Sequence, residues 1–212
     1  MNASAGAVVA VAAMITAAGA FAGPMQAQPG ISVTGGGLAE ACSDAAKRGE
    51  FGFRVEQLCT SALDTEGMLP LDRAGTYVNR GILKLRSLKY DQATEDFDTA
   101  IRYKADFPEA YVNRGAAHIG AHRFTESVAD LNRALELGVK EPEKAYYNRA
   151  LAFEWLDNPK AAYLDYRKAL ELAPDWDLVK QQLERFVVSH AELHPPGEPS
   201  KPQNTTQPPT KP

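Results

Sequence analysis

The hydrophobic residues in the middle of the chain recur with regular spacing, in two kinds of segment. The first kind opens with an aromatic residue and has Gly or Ala four residues later, as in Tyr77 and Gly81. The second kind places small, large and small residues at intervals of four and three, as in Ala93, Phe97 and Ala100. Both spacings put these residues on one face of an α-helix. The pattern therefore predicts paired amphipathic helices, in which small residues of the two segments face each other and allow close packing.

These two segments form a unit that occurs three times. The sequence Tyr-Val-Asn-Arg-Gly stands at 77–81 and again at 111–115, an offset of 34 residues (111 − 77). A close copy, Tyr-Tyr-Asn-Arg-Ala, follows at 146–150, an offset of 35 residues (146 − 111). A fixed period of this size indicates a repeat architecture, in which each unit packs on its neighbours. Such arrays offer an extended surface for holding another chain.

At these positions the chain resembles the tetratricopeptide repeat family. The matching residues are Tyr77, Gly81, Tyr90, Ala93, Phe97 and Ala100; then Tyr111, Gly115, Phe124, Ser127, Leu131 and Ala134; then Tyr146, Ala150, Ala162, Tyr166, Ala169 and Pro174. The departures from the family pattern are Leu88, His122 and Asp157 at the turn glycine, and Ala105 and Val139 at the closing proline. The resemblance implies an all-α fold, a right-handed α-solenoid of helix-turn-helix repeats, with three repeats at 74–174.

Less regular helical segments flank the three repeats. Residues 38–69 contain two short amphipathic segments, 38–48 and 53–63, which we interpret as a divergent N-terminal helical hairpin. Residues 175–190 continue the apolar helical spacing after the third repeat. We predict a capping helix there, because a solenoid must cover the apolar face of its last repeat to stay soluble.

The N-terminal segment has the composition of an export signal. Residues 1–39 carry no charged side chain, and the run 5–22 is rich in Ala and Val. A small-x-small site ends at Ala22, so we predict a signal peptide at 1–22, with cleavage after Ala27 as the second choice. No basic residue precedes the run, and a retained membrane anchor is the alternative, although so many Ala and Gly residues make a weak span. Cleavage would make the protein periplasmic or secreted, with 23–37 as a flexible linker.

The composition of the rest of the chain limits the classes of partner. The net charge is −4 with both signs interspersed, and the absence of a basic stripe argues against nucleic acid. The tail 191–212 is rich in Pro and poor in apolar residues, so we predict a disordered segment in preference to a docking ligand. A protein partner is the remaining expectation.

The sequence contains no recognisable catalytic motif. It has no phosphate-binding loop, no Gly-x-Ser-x-Gly elbow and no His-Glu-x-x-His. His118 and His122 are four residues apart, as metal ligands on a helix can be, but no third ligand accompanies them. We therefore expect a non-enzymatic protein with no cofactor and no metal site.

Polar residues also recur at fixed repeat positions. Asn79, Asn113 and Asn148 are each followed by Arg. Tetratricopeptide domains that grip a C-terminal carboxylate combine such an Asn with basic groove residues, but Val78, Val112 and Ile82 stand at those basic positions here. We therefore do not expect a carboxylate clamp. The Arg residues are expected to form ion pairs between packed helices, namely Arg80–Asp96, Arg114–Asp130 and Arg149–Asp165.

The resemblance implies a concave groove along the first helices of the repeats. Its predicted lining is Val78, Ile82 and Leu85; Val112, Ala116 and Ile119; Tyr147, Leu151 and the neighbouring Trp155. A contiguous apolar strip usually marks a binding site, and we expect this one to hold an extended or helical segment of a partner protein. Two alternatives stay open: the protein itself covers the strip, or a homo-oligomer buries it.

The two cysteines give the first prediction. Cys42 and Cys59 lie on the two predicted helices of the divergent hairpin, where both can point into the shared seam. In an oxidising compartment we expect a disulfide between them, contributing about 3 kcal/mol; the alternative is two buried free thiols. Intact mass before and after reduction, with alkylation, tests the bond. Two free thiols in protein from the native compartment would contradict it and weaken the case for export.

Overall fold

The computed structural model describes residues 12–13, 24–34 and 37–187. Its helices are α1 Leu38–Lys47, α2 Phe53–Thr65, α3 Pro70–Arg86, α4 Tyr90–Tyr103, α5 Pro108–Gly120, α6 Phe124–Glu136, α7 Pro142–Trp155, α8 Pro159–Leu172 and α9 Asp177–Leu183. Two short strands, β1 Ala12–Ala13 and β2 Phe186–Val187, pair antiparallel. Apart from β1, the predicted signal peptide at 1–22 lies outside the described residues, as does the predicted disordered tail at 191–212.

The helices pack as consecutive hairpins. α3 packs against α4, α5 against α6 and α7 against α8, and each hairpin then packs against the next. α1 and α2 form a preceding hairpin that contacts α3. The first helices of the repeats also contact each other, α3 with α5 and α5 with α7, and so form one face of the array. The predicted all-α helical repeat solenoid is confirmed.

Prolines open four of these helices. Pro70, Pro108, Pro142 and Pro159 each stand in the first turn, where a missing N–H costs no intrahelical hydrogen bond. Pro108 and Pro142 stand three residues after Ala105 and Val139, which replace the closing prolines of the family pattern. The joints between repeats therefore still contain a proline, displaced to the start of the next helix.

The turn inside each repeat has one residue in the left-handed conformation, and this residue is not glycine. Leu88, His122 and Asp157 have φ of 59°, 59° and 53°. This conformation costs a residue with a side chain about 1–2 kcal/mol. The main-chain bond that follows each turn partly offsets the cost, as where Lys89 N donates to Lys84 O at 2.9 Å. The turn geometry therefore persists although the expected glycine is absent.

Large side chains fill the space left by the small residues of the first helices. A Cβ on Gly81 would lie 2.5 Å from Phe97 Cε1, and one on Gly115 would lie 2.9 Å from Leu131 Cγ. The sequence pattern suggested that each glycine faces the small residue of the second segment, but the large residue lies over it. A missing side chain leaves a hole that a ring or a Leu side chain fills at interior packing density.

The N-terminal hairpin joins the array more closely than the sequence suggested. α2 ends at Thr65 and α3 begins at Pro70, four residues before the repeat start assigned at Ala74. Cys42 and Cys59 are fully buried and form a disulfide that links α1 to α2, with a Cα–Cα distance of 4.9 Å. The hairpin therefore continues the solenoid as a covalently closed first unit.

The C-terminal cap is shorter than the predicted helix. α9 ends at Leu183, and the chain then turns so that Phe186 packs on Tyr163 and Tyr166, at ring-centroid distances of 5.9 and 6.0 Å. Phe186 and Val187 form β2, which pairs with β1. Within the described part of the chain, no helix is both long enough and apolar enough to cross a membrane.

The packing over the glycines gives a prediction of stability. Gly115→Leu places a side chain where Leu131 already sits, and we expect a loss of about 1–3 kcal/mol from overpacking. The control is Gly67→Leu, since a Cβ at Gly67 meets no atom within 4 Å. Thermal unfolding followed by circular dichroism compares the two. Equal melting temperatures for Gly115→Leu and the native chain would show that the helix register is wrong.

Candidate functional site

The predicted groove residues lie together on the inner faces of α3, α5 and α7. Eight of them are buried, namely Val78, Ile82, Leu85, Val112, Ala116, Ile119, Tyr147 and Leu151. Trp155 at the end of α7 is 45% exposed and stacks on Phe124, with ring centroids 5.3 Å apart. The predicted strip is thus covered, and its buried residues belong to three apolar clusters.

A segment of the same chain covers the strip. Residues 24–34, which we call the strap, have no regular secondary structure and run past α7, then α5, then α3. Met25, Ala27 and Ile31 pack on the apolar clusters that contain the groove residues. The sequence predicted a flexible linker here. That prediction rests on composition, which does not show whether the main chain of a segment has hydrogen-bond partners elsewhere in the fold.

Two asparagines hold the strap through two bonds each. Asn148 Oδ1 accepts from Gln26 N at 2.7 Å, and its Nδ2 donates to Gln26 O at 2.7 Å. Asn79 Oδ1 accepts from Ile31 N at 2.6 Å, and its Nδ2 donates to Ile31 O at 2.8 Å. Each amide therefore pairs with both main-chain groups of one strap residue, as a neighbouring β-strand would.

The middle contact adds recognition of a side chain. Asn113 Oδ1 accepts from Gln28 N at 2.9 Å, while its Nδ2 donates to Glu109 O within α5. Gln28 is itself buried, and its Nε2 donates to Glu141 O at 3.1 Å. At this position the protein therefore binds both the main-chain N–H and the side-chain amide of Gln28.

The C-terminal half of the strap is enclosed by helices on two sides. Ser43 of α1 donates to Ile31 O at 2.8 Å, and the Asp72 carboxylate of α3 accepts from Thr34 N and Oγ1 at 2.9–3.0 Å. A Cβ on Gly30 would lie 2.7 Å from the main-chain nitrogen of Lys47. Residues 30–34 therefore pass between α1 and α3 so closely that position 30 has no room for a side chain.

The predicted Arg–Asp pairs are confirmed behind the groove. Arg80, Arg114 and Arg149 bond both oxygens of their Asp partners through Nε and Nη2, at 2.6–3.0 Å. The third nitrogen of each reaches the preceding hairpin, and the acceptors are Thr60, Asp98 and Asn132. Each Arg thus joins three helices and fixes the spacing at which the groove asparagines stand.

The environment of the Arg residues shifts their titration. Burial lowers the pKa of Arg149, but its hydrogen bonds to the Asp165 carboxylate and the charge of that group outweigh burial, so the pKa lies above its ordinary value. Arg80 with Asp96 behaves in the same way. Both guanidinium groups therefore stay protonated at neutral pH.

A buried polar cluster lies at the third-repeat end of the groove. Tyr166 donates its hydroxyl to Glu154 Oε1 at 2.5 Å, and Arg185 Nη2 donates to Glu154 Oε2 at 2.6 Å. The hydroxyl of Tyr147 is buried and makes no hydrogen bond. Burial, followed by the charge of Glu154, raises the pKa of both tyrosines, so each phenol stays protonated.

The histidine pair has a structural environment. Arg123 Nε donates to His118 Nδ1 at 3.0 Å, and His122 contacts Phe124 and Trp155 edge-on. Burial is the largest influence on His118 and lowers its pKa. Among the residues described, no group of three His, Cys, Asp or Glu side chains could hold a metal ion.

Reasoning from the sequence missed the role of the asparagines and of the strap. In the sequence, Asn79, Asn113 and Asn148 form a recurring series with no assigned role once a carboxylate clamp is rejected. The available signal was their recurrence one residue after each groove position, on the concave face. Nothing in the sequence pairs them with Gln26, Gln28 and Ile31, which are 122, 85 and 48 residues away.

The orphan hydroxyl gives a matched pair of predictions. Tyr147→Phe removes a buried polar group that has no partner, so we expect stability to rise by about 1 kcal/mol. Tyr166→Phe removes a hydrogen bond to the Glu154 carboxylate, and we expect a loss of about 1.5–3 kcal/mol. Urea unfolding of both variants measures the difference. A loss of stability for Tyr147→Phe as large as that for Tyr166→Phe would contradict the conclusion that the Tyr147 hydroxyl has no hydrogen-bond partner.

Comparisons with known proteins agree with this geometry. Residues 143–175 match the sequence model of the tetratricopeptide repeat. The Arabidopsis OM64 TPR domain is similar at 26% identity and a TM-score of 0.53, over 55% of this chain and 96% of that one. The first TPR of Spaghetti (RPAP3), bound to the HSP90 peptide SRMEEVD, is similar at 25% identity and a TM-score of 0.52, over 54% and 90%. No curated protein matches the chain. Its helical array thus has the fold of tetratricopeptide repeat domains, which supports a protein-binding scaffold.

Proposed function

We propose that this protein is a non-catalytic scaffold that holds an extended segment of a partner protein in the groove along α3, α5 and α7. The observation that carries the proposal is the strap, because the groove receives an extended polypeptide and bonds its main chain through three asparagines. A peptide bound to the similar TPR domain of Spaghetti gives independent support.

The contacts of the strap suggest the chemistry of the partner segment. Asparagine amides that bond main-chain groups accept many sequences, so specificity must come from side chains. Apolar residues of the strap pack on the strip, Gln28 buries an amide, and the whole segment 24–34 is uncharged. Burying a charge against the strip would cost more than it returns. We therefore propose a neutral, extended segment with small or aliphatic residues, in contrast to the acidic peptide bound to Spaghetti.

The proposed location of this activity is the periplasm or the exterior of the cell. Support comes from the uncharged Ala-rich N-terminal run and from the disulfide between Cys42 and Cys59, a bond favoured in oxidising compartments. Cleavage after Ala22 would leave the strap whole. Cleavage after Ala27 would remove Gln26 and its two bonds to Asn148.

A second candidate is self-association through the same groove. The strap and the groove are already complementary, so the strap of one copy can make the same bonds in the groove of another. Such a dimer would need no separate ligand. The source of the bound segment distinguishes this candidate from a scaffold for another protein.

Site-directed photo-cross-linking tests the proposed function. Trp155 is the exposed member of the predicted groove lining, and benzoylphenylalanine in its place reports on chains that enter the groove. We expect adducts with a different protein in the native host. The double variant Asn113→Ala with Asn148→Ala should lose them, because the main-chain contacts are gone. Gln92→Ala, which removes an exposed amide of α4 outside the groove, should retain them.

The remaining outcomes are also decisive. Adducts formed solely with a second copy of this chain would favour self-association. Adducts that persist in the double Asn variant, with unchanged helical content by circular dichroism, would place partner binding outside the groove and contradict the proposal.

A further inference from the structure

We propose that residues 24–28 of the strap are a displaceable internal ligand, and that a partner segment occupies the second and third repeats only when these residues leave. The inference rests on the proposed function, since it names the element that competes for the same groove. It starts from a difference between the two halves of the strap.

The half at 30–34 belongs to the fold. It lies between α1 and α3, where Gly30 has no room for a Cβ and Val33 is buried. Gly75 of α3 lets it approach, because a Cβ at Gly75 would lie 3.2 Å from Val33 Cγ2. Removing this half would leave an unfilled space between α1 and α3, so it is not the part that exchanges.

Among the described residues, the half at 24–28 is bonded to the repeats and makes no hydrogen bond to α1. Its hydrogen bonds to the repeats are those of Gln26 to Asn148 and of Gln28 to Asn113 and to the main chain of Glu141. Pro24 is exposed, whereas Met25 and Ala27 are half-buried on the strip. Pro29 and Gly30 connect the two halves beside a cleft of about 270 Å³. Residues 24–28 can therefore leave while 30–34 stay in place.

Displacement of this half requires little net energy when a partner replaces it. An extended partner segment offers the same main-chain N–H and C=O groups to Asn113 and Asn148, so hydrogen bonds exchange one for one. Apolar surface uncovered on the strip is covered again in the same step. The strap competes with the partner because it is covalently linked to the groove. A short connection gives a linked segment an effective concentration of about 1 mM at its binding site.

The tether makes a measurable difference. A competing segment that binds in trans sees only the fraction of molecules in which 24–28 are released, and its apparent affinity falls by that fraction. Weakening the strap without touching the groove must therefore strengthen binding of a peptide in trans. A strap half that is merely structural predicts no such gain.

The test removes the strap's donors and keeps the asparagines. Gln26→Pro with Gln28→Pro deletes the two N–H groups that donate to Asn148 and Asn113, and proline suits an extended segment. Ala27→Pro is the matched control, because the groove asparagines make no bond to its N–H. The probe is a fluorescein-labelled synthetic peptide with the sequence of residues 24–28, the part of the strap that is proposed to leave, and its binding to the full chain is measured by fluorescence anisotropy.

We expect the double-proline variant to bind the probe about ten-fold tighter than the native chain or the control. Adding Asn148→Ala to that variant should return binding to the native level or below, since it removes both contacts to the third repeat. Equal binding by the native and double-proline chains would overturn the inference and leave the proposed function standing. Absence of binding by every variant, with normal helicity, would contradict the proposed function itself.

Hydrogen exchange on the native chain covers the case in which the double-proline variant unfolds. We expect the amides of Gln26 and Gln28 to exchange faster than that of Ile31, because their half of the strap opens locally. Exchange of all three only with global unfolding would overturn the inference. Light scattering in parallel shows whether the strap in the groove belongs to the same molecule or to a second copy. A concentration-dependent dimer that the probe peptide dissociates would assign the strap to a second copy and would also overturn the inference.

Discussion

The close approach of the two helices in each repeat is the constraint on which the rest of this structure depends. Gly81 and Gly115 leave holes that Phe97 and Leu131 fill, and Ala150 is the corresponding buried residue of the third repeat. This approach brings each Arg within reach of its Asp on the facing helix. Because each Arg also bonds the preceding hairpin, one side chain sets both the packing within a repeat and the step between repeats. The Asn that precedes each Arg is thereby placed on the concave face at a regular interval.

That regular interval is what allows the groove to hold an extended chain. An uncovered apolar strip of this length is unusual on a soluble protein, and here the protein covers it with its own residues 24–34. The asparagines solve a second problem, since main-chain groups placed against an apolar surface lose water and need partners. The same two requirements would apply to the partner segment proposed above, and the strap is the basis for its proposed chemistry.

The two ends of the array differ in how firmly they are built. At the first-repeat end, the disulfide links α1 to α2, and α1 closes over residues 30–34. At the third-repeat end, the described residues show no hydrogen bond from the strap to α1, and the hydroxyl of Tyr147 is buried without a partner. Stability is thus concentrated at the first-repeat end, where the strap leads into α1, while the third-repeat end keeps an incompletely satisfied polar group. Sites that exchange ligands are commonly drawn from such less stable regions.

Much of the fold follows from local regularities in the sequence. The periods of 34 and 35 residues, the helical spacing of apolar residues and the Arg and Asp series predicted the repeats, their helices and their ion pairs. The identity of the strip residues also followed, because a groove position recurs with the repeat. Two local expectations failed for tertiary reasons. The C-terminal helix ends at Leu183 and is followed by β2, which pairs with β1, and large residues lie over the glycines.

The covering of the groove was decided by the tertiary structure alone. The bonds that hold the strap join residues 48 to 122 positions apart, and no period or composition relates them. An uncharged segment with Gly and Pro is typical of a linker whenever its main chain is solvated. It becomes an ordered ligand only when a folded array presents amide groups at matching intervals. The sequence by itself thus determined the repeats and the apolar strip, whereas the occupant of the strip depended on contacts that exist only after the helices have assembled.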